Sequence, residues 1–422
     1  MVRSFSVVLT LVLSGCSGSP GGGTGGTGAG GASSGGGDDS LGGAVATAGS
    51  GGMNVQSGGS AGSAGSAAGG GGLGAAGSAT GGSSSHLVVA CPTSDQGGPG
   101  VVGVFEDITP PDIDLSQNGV LSAAVDQVNT TNLYAAGDHQ GVYKSTDCGA
   151  TWNKISTGRN ADVLESGMQW SMVIDPVAPD VLFAGNLYGA NSGLYRSTNG
   201  GVDWDLSFPP NDEIGQIINF AQEVAIDPTN HEHVLLSLHD NCKGDYAPAC
   251  MAESTDSGVT WRLVKLPTAG WSHNANPFPL DASSWFYGAG ADGMFLTEDG
   301  GETWEKVTDS VMNQMYLASD GSYYVASLNG VRYSTDRHSW SVLPNSGKAI
   351  AVIGDGTRVF ESDDIFAAQK PFHAALETDP QSWSALDSPE LSHGANRFSY
   401  DPDHHILYAP SCNAGLWRMV TY

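Results

Sequence analysis

The chain has 422 residues and carries 44 acidic against 16 basic side chains, a formal net charge of -28. That balance argues against nucleic acid and against anionic lipid headgroups as partners of the folded part. About half of its 61 glycines fall ahead of residue 86, in a fifth of the length, so composition alone divides the chain.

Residues 1–16 read as an export signal. Arg3 precedes an apolar run from Phe5 to Leu13, too short to span a bilayer as a mature helix, and Leu13-Ser-Gly-Cys16 follows. Leu-Ser-Gly-Cys resembles the lipobox of bacterial lipoproteins, which implies Cys16 as the lipidated residue and a protein held to the cell envelope, at the outer membrane or cell surface. Residues 17–85 are almost wholly Gly, Ser, Ala and Thr. Such a segment cannot bury enough apolar area to offset its ordering entropy, so it reads as a tether with an r.m.s. span of roughly 45 Å.

Residues 86–422 are the folded part, and a repeat dominates them. Ser145–Trp152 is STDCGATW, Ser197–Trp204 is STNGGVDW, Ser254–Trp261 is STDSGVTW and Thr297–Trp304 is TEDGGETW. Two shorter copies follow, STDRHSW at Ser334–Trp340 and ETDPQSW at Glu377–Trp383. Each stands between alternating strands, such as Gly141-Val-Tyr-Lys before and WNKIS after, so it reads as a hairpin turn. Asp147, Asp256, Asp299 and Asp336 are expected to accept hydrogen bonds from their own turn, with Gly149, Gly258 and Gly301 at positive φ. On that reading these aspartates are structural, and the tryptophans pack between neighbouring sheets.

The repeats resemble Asp-boxes, or BNR repeats, of sialidases, two-domain xyloglucanases, sortilin-type receptors and photosystem assembly factors. Ahead of each turn comes a further strand pair, from AVDQVNTTNLYAAG to SYDPDHHILYAP, seven in all. A unit is then four antiparallel strands over about forty to fifty residues, the size of a propeller blade. The last unit, ending GLWRMVTY, has no turn and no fourth strand, while Phe105-Glu-Asp-Ile-Thr matches the outer-strand pattern of Trp304-Glu-Lys-Val-Thr. The expectation is an all-β, single seven-bladed propeller closed by pairing this N-terminal strand with the last blade, which leaves no free sheet edge.

The boxes then lie on one face, and the segments entering each innermost strand lie on the other, around the channel mouth. These mouth segments supply the candidate ligand-binding residues: Gln169, Trp170, Asn186, Tyr188, His239, Trp271, His273, Asn276, His393, Asn396 and Arg397. Two of the segments share SHxAN, at Ser272–Asn276 and Ser392–Asn396. Rings beside amides and imidazoles suit a sugar, so a glycan or a protein ligand bound by a monomer is expected. The competing reading is a carbohydrate-active enzyme. A glycoside hydrolase needs two carboxylates about 5 to 10 Å apart, for which Glu223, Asp240 and Asp292 are candidates. A polysaccharide lyase could use His273 or His393 as base and Tyr188 as acid. The resemblance to sialidases does not extend to their arginine triad, since no RIP-type motif occurs.

No cofactor is implied, and no CxxC or HExxH spacing points to a metal. Cys242 and Cys250 share one short loop and are expected to form a disulfide. Of Cys91, Cys148 and Cys412, the pairing of Cys91 with Cys148 is favoured over Cys91 with Cys412, leaving one odd thiol.

Overall fold

In the computed structural model the described residues are 90–91, 100–189, 191–209, 214, 221–239, 242–267, 275–311, 313–363, 372–388, 391 and 393–422. Among them the strands form seven four-stranded sheets, each antiparallel between neighbours. The innermost strands in chain order are Val120–Val125, Met168–Ile174, Ala221–Asp227, Ala275–Pro279, Met315–Leu317, Ala351–Gly354 and Ser399–Asp401. In six blades the remaining strands follow in order outward. The seventh takes its outer strand, Phe105–Asp107, from the other end of the chain. Phe105 pairs with Met419, Glu106 with Arg418 and Asp107 with Trp417, so the expected closure holds. The chain is a seven-bladed propeller.

Bulky apolar residues of facing sheets pack between the blades, and these layers form the core. Phe105 lies 4.9 Å from Phe372 of the sixth blade, and Phe286 lies 5.7 Å from Trp340 of the fifth. Trp261 meets Phe208 of the preceding blade at 5.5 Å. The tryptophans ending the repeated turns therefore do wedge neighbouring sheets together.

The turns themselves are built alike. In the third blade the Ser254 hydroxyl donates to Asp256 Oδ1 at 2.8 Å and accepts from the Gly258 amide at 2.8 Å. Asp256 also takes the amide and the hydroxyl of Thr260, at 2.8 and 2.6 Å. Asp147 and Asp299 repeat the arrangement with Thr151 and Thr303. In the second blade Asn199 replaces the aspartate, and its amide donates to Asp203 instead. Gly258 has φ +77, and a Cβ there would stand 2.6 Å from the Phe183 ring, so the corner admits no side chain.

Cys91 is bonded to Cys148, with Cα atoms 5.7 Å apart, and Cys242 to Cys250, at 5.9 Å. The odd thiol expected from the count is corrected: no described cysteine is free. No described helix is long and apolar enough to cross a membrane. Cys16 and the 17–85 segment lie outside the described residues.

Candidate functional site

Antiparallel alternation puts the start of every innermost strand on the face opposite the repeated turns, and there the channel opens. Polar side chains from four blades meet across it. Glu223, near the start of the third innermost strand, places Oε2 2.7 Å from Arg397 Nη2, which comes from the approach to the seventh. The same Nη2 donates to Asn276 Oδ1 of the fourth blade and to the Asn313 carbonyl ahead of the fifth, both at 3.1 Å. Asn313 Nδ2 in turn donates to Asn396 Oδ1 at 2.9 Å. The asparagines that end the two SHxAN segments thus serve one network, Asn276 accepting from Arg397 and Asn396 from Asn313.

Glu223 is 2 % exposed. Burial pushes its carboxyl above the ordinary range, while Arg397, Ser171 and Trp170 pull the other way. Glu223 is thus a buried carboxyl group held against a guanidinium.

A second feature lies between the second and third blades. Tyr188, the first residue of the turn after Leu182–Leu187, has φ +54, a backbone region that bulky residues seldom adopt. Its ring is held edge-on to His239, with centroids 5.6 Å apart, and its hydroxyl lies 2.9 Å from His239 Nε2. Tyr188 remains 53 % exposed, whereas His239 is buried. Partial burial raises the phenol pKa, so the hydroxyl stays protonated at neutral pH and can donate.

Two of the expected ligand contacts need correction. Gln169 and Asn186 are fully buried. Gln169 Nε2 donates to the carbonyls of Leu164 and Gly167 and to Asn186 Oδ1, while Asn186 Nδ2 donates to the Val163 and Asn191 carbonyls. They hold the short Ala161–Leu164 helix against the rim, satisfying main-chain acceptors that burial would otherwise orphan. Trp170 packs on the buried cluster of Leu121, Met168, Leu187 and Cys412. Asp292 is exposed in the Gly290–Asp292 turn, and His393 is half-buried at the seventh mouth segment. Asp240, Trp271 and His273 lie outside the described residues. Asn313, Gln314 and Ser171 escaped notice as candidates. Gln314 exchanges two hydrogen bonds with the Phe398 backbone, and its only sequence signal was its place just ahead of the fifth innermost strand.

Seven closed four-stranded blades, with one recurrent Ser/Thr–Asp turn between third and fourth strands, settle the architecture. The chain is a seven-bladed β-propeller whose repeats fit the BNR pattern. No family model matches it. The propeller is 24 % identical over 364 residues to the oligoxyloglucan-reducing end-specific xyloglucanase of Emericella nidulans, covering 72 % of this chain and 42 % of that one. It is 31 % identical over 180 residues to the xyloglucanase Xgh74A of Acetivibrio thermocellus, covering 36 % and 20 %. This propeller therefore matches less than half the length of either relative. Among solved structures, YCF48 bound to D1 peptide superposes with a TM-score of 0.55 at 14 % identity, covering 75 % of this chain and 97 % of that one. A GH74 xyloglucanase from Xanthomonas campestris gives 0.53 at 15 % identity, covering 74 % and 53 %. At these identities the superpositions speak for the fold alone.

Proposed function

We propose that this propeller is a recognition module that binds an oligosaccharide of the xyloglucan class at its channel mouth, without cutting it. The observation that carries the reading is Tyr188: an aromatic face more than half exposed at the rim, fixed in orientation by His239 and by a backbone bend. A sugar presents C–H faces to such a ring and hydroxyls to the amides and imidazole beside it. The similarity to xyloglucanases supports the ligand class. Binding is favoured over hydrolysis because Glu223 is engaged by Arg397. Titration calorimetry with xyloglucan oligosaccharides tests this. Binding should weaken at least 10-fold in Tyr188→Ala, about 1.4 kcal/mol, and reducing-end release should stay at background. Absence of binding overturns the reading. Release of reducing ends that Glu223→Gln abolishes would replace it with a glycoside hydrolase.

A peptide ligand is the second reading, favoured by the superposition of nearly the whole of peptide-bound YCF48. Retained peptide binding with no oligosaccharide binding selects it. The same proposal places the protein outside the cytoplasm, anchored by lipid on Cys16 through residues 17–85. Labelling with a clickable fatty acid should mark the wild type and not Cys16→Ser.

A further inference from the structure

Three segments far apart in the chain meet where the ring closes. Cys148 stands in the first repeated turn, and Cys91 lies ahead of the closing strand. Asp401 ends the seventh innermost strand, and His404 belongs to the turn that leaves it. One ligand-capable atom from each of these four residues lies within 4.8 Å of the others. Around a tetrahedral zinc ion bonded at about 2.0 to 2.3 Å, ligand atoms stand roughly 3.3 to 3.8 Å apart, so the set is nearly gathered already.

The surroundings are those of a built site. Cys148 and Asp401 are fully buried, Cys91 is 8 % exposed and the His404 side chain 9 %. Asp401 Oδ1 accepts from the Asp403 and His404 amides, at 2.9 and 3.0 Å, and its Oδ2 lies 2.6 Å from His404 Nδ1. Cys148 has φ +59, where other copies of the turn place Gly200, Ser257 or Gly300. A cysteine is an uncommon occupant of that backbone region, and here it aims its sulfur at the cluster.

We propose that reduction of the Cys91–Cys148 bond converts this cluster into a zinc site with Cys91, Cys148, His404 and Asp401 as ligands. A dithiol passes two electrons and two protons to the disulfide. The S–S bond breaks, two thiols form, and the donor leaves as its own disulfide. Zinc then displaces both thiol protons to solvent and forms two Zn–S bonds. In the oxidised protein the sulfurs bond each other and the cluster takes no metal. The metal would tie the same N-terminal segment to the same turn and add the last blade to the staple. The absence of paired ligand spacing in the sequence is no obstacle, because the fold gathers the ligands from three segments.

The test uses the full chain carrying Cys242→Ser and Cys250→Ser, reduced with a phosphine and titrated with cobalt(II). A thiolate charge-transfer band with tetrahedral d–d bands should appear at one equivalent, vanish on adding zinc, and be absent before reduction. Cobalt affinity should fall at least 10-fold in His404→Ala and likewise in Cys91→Ser, which leaves the Asp401–His404 turn intact. Zinc should raise the melting temperature of the reduced protein and leave that of the oxidised protein unchanged. No band after reduction overturns the proposal, as does a band that survives both substitutions.

Discussion

Glu223 and Arg397 reach across the channel from the third blade and the seventh and meet 2.7 Å apart. With Asn276 and Asn313 on the same guanidinium nitrogen, they tie the two halves of the ring together at its axis. Removing one partner of a buried pair strands the other charge, which typically costs about 3 to 5 kcal/mol. Arg397→Ala should therefore lower the unfolding free energy by about 3 kcal/mol, the lower end because the arginine is partly exposed. Glu223→Gln should cost less, and the double variant less than the sum. A urea-unfolding double-mutant cycle measures this, and additive effects would show that the pair does not hold the axis.

Closure makes a separate prediction. Phe105 is 4 % exposed and packs on Phe372, although only three residues of its strand pair with the last blade. Truncating a buried phenylalanine costs about 3 to 5 kcal/mol. Phe105→Ala should thus destabilise the whole ring in one transition, read as a lower denaturation midpoint with an unchanged slope. A new early transition, with most of the protein still folded, would mean that the seventh blade opens independently.

Why the ring was legible in the sequence, and its axis was not, follows from the range of the contacts. The bonds that make the repeated turn run from residue i to i+2 or i+4, so every copy writes its own geometry into eight consecutive letters. The closing strand showed itself because FEDIT repeats an outer-strand pattern that the last blade lacks. At the mouth the bonds join residues 84 and 121 positions apart, and no local pattern announces which amide will meet which guanidinium. Gln169 and Asn186 looked like ligand contacts for the same reason. Whether an amide faces a channel or a main-chain carbonyl depends on how the neighbouring loop folds back, and here the Ala161–Leu164 helix takes both.

If the turn aspartates are structural, changing one should alter stability and leave ligand binding alone. Asp256→Ala removes the acceptor for the Thr260 amide and hydroxyl, which predicts a loss of roughly 1 to 2 kcal/mol. Burial acts to raise this carboxyl, but the bonds from Thr260, Ser254 and Val259 outweigh it and hold it below the usual range. A depressed carboxylate stabilises above its unfolded pKa and loses that contribution as pH falls through the folded value. The deficit of the variant should therefore be full at neutral pH and shrink in acid below about pH 4. A calorimetric isotherm with xyloglucan oligosaccharide that moves along with the stability would assign the turn a part in binding.

The sixth blade carries a pH dependence of the opposite sense. Glu361 and His373 are direct cross-strand partners, with Oε1 2.5 Å from Nδ1. Gly347 closes over them, where a Cβ would stand 2.9 Å from Glu361 Oε1. The Glu361 side chain is fully buried, and burial pushes its pKa up to about 7 against the pull of His373, with Asp363 adding to the rise. His373 is raised chiefly by its bond to Glu361, burial opposing. Glu361 keeps its proton in the folded protein while the unfolded chain loses it from about pH 4.5 upward, so folding is disfavoured progressively up to about pH 7. The contribution of His373 is complete below its unfolded value of about 6.5 and disappears as pH rises through the folded one. The folded pair therefore holds protons that the unfolded chain releases, so stability is highest in mild acid and falls through neutrality. Unfolding free energies at about pH 5, 6.5 and 8 should show that slope in the wild type. They should show a flatter one in Glu361→Gln, which keeps the shape of the side chain and has no proton to lose. Parallel profiles for the two proteins would remove the pair as the source of the dependence.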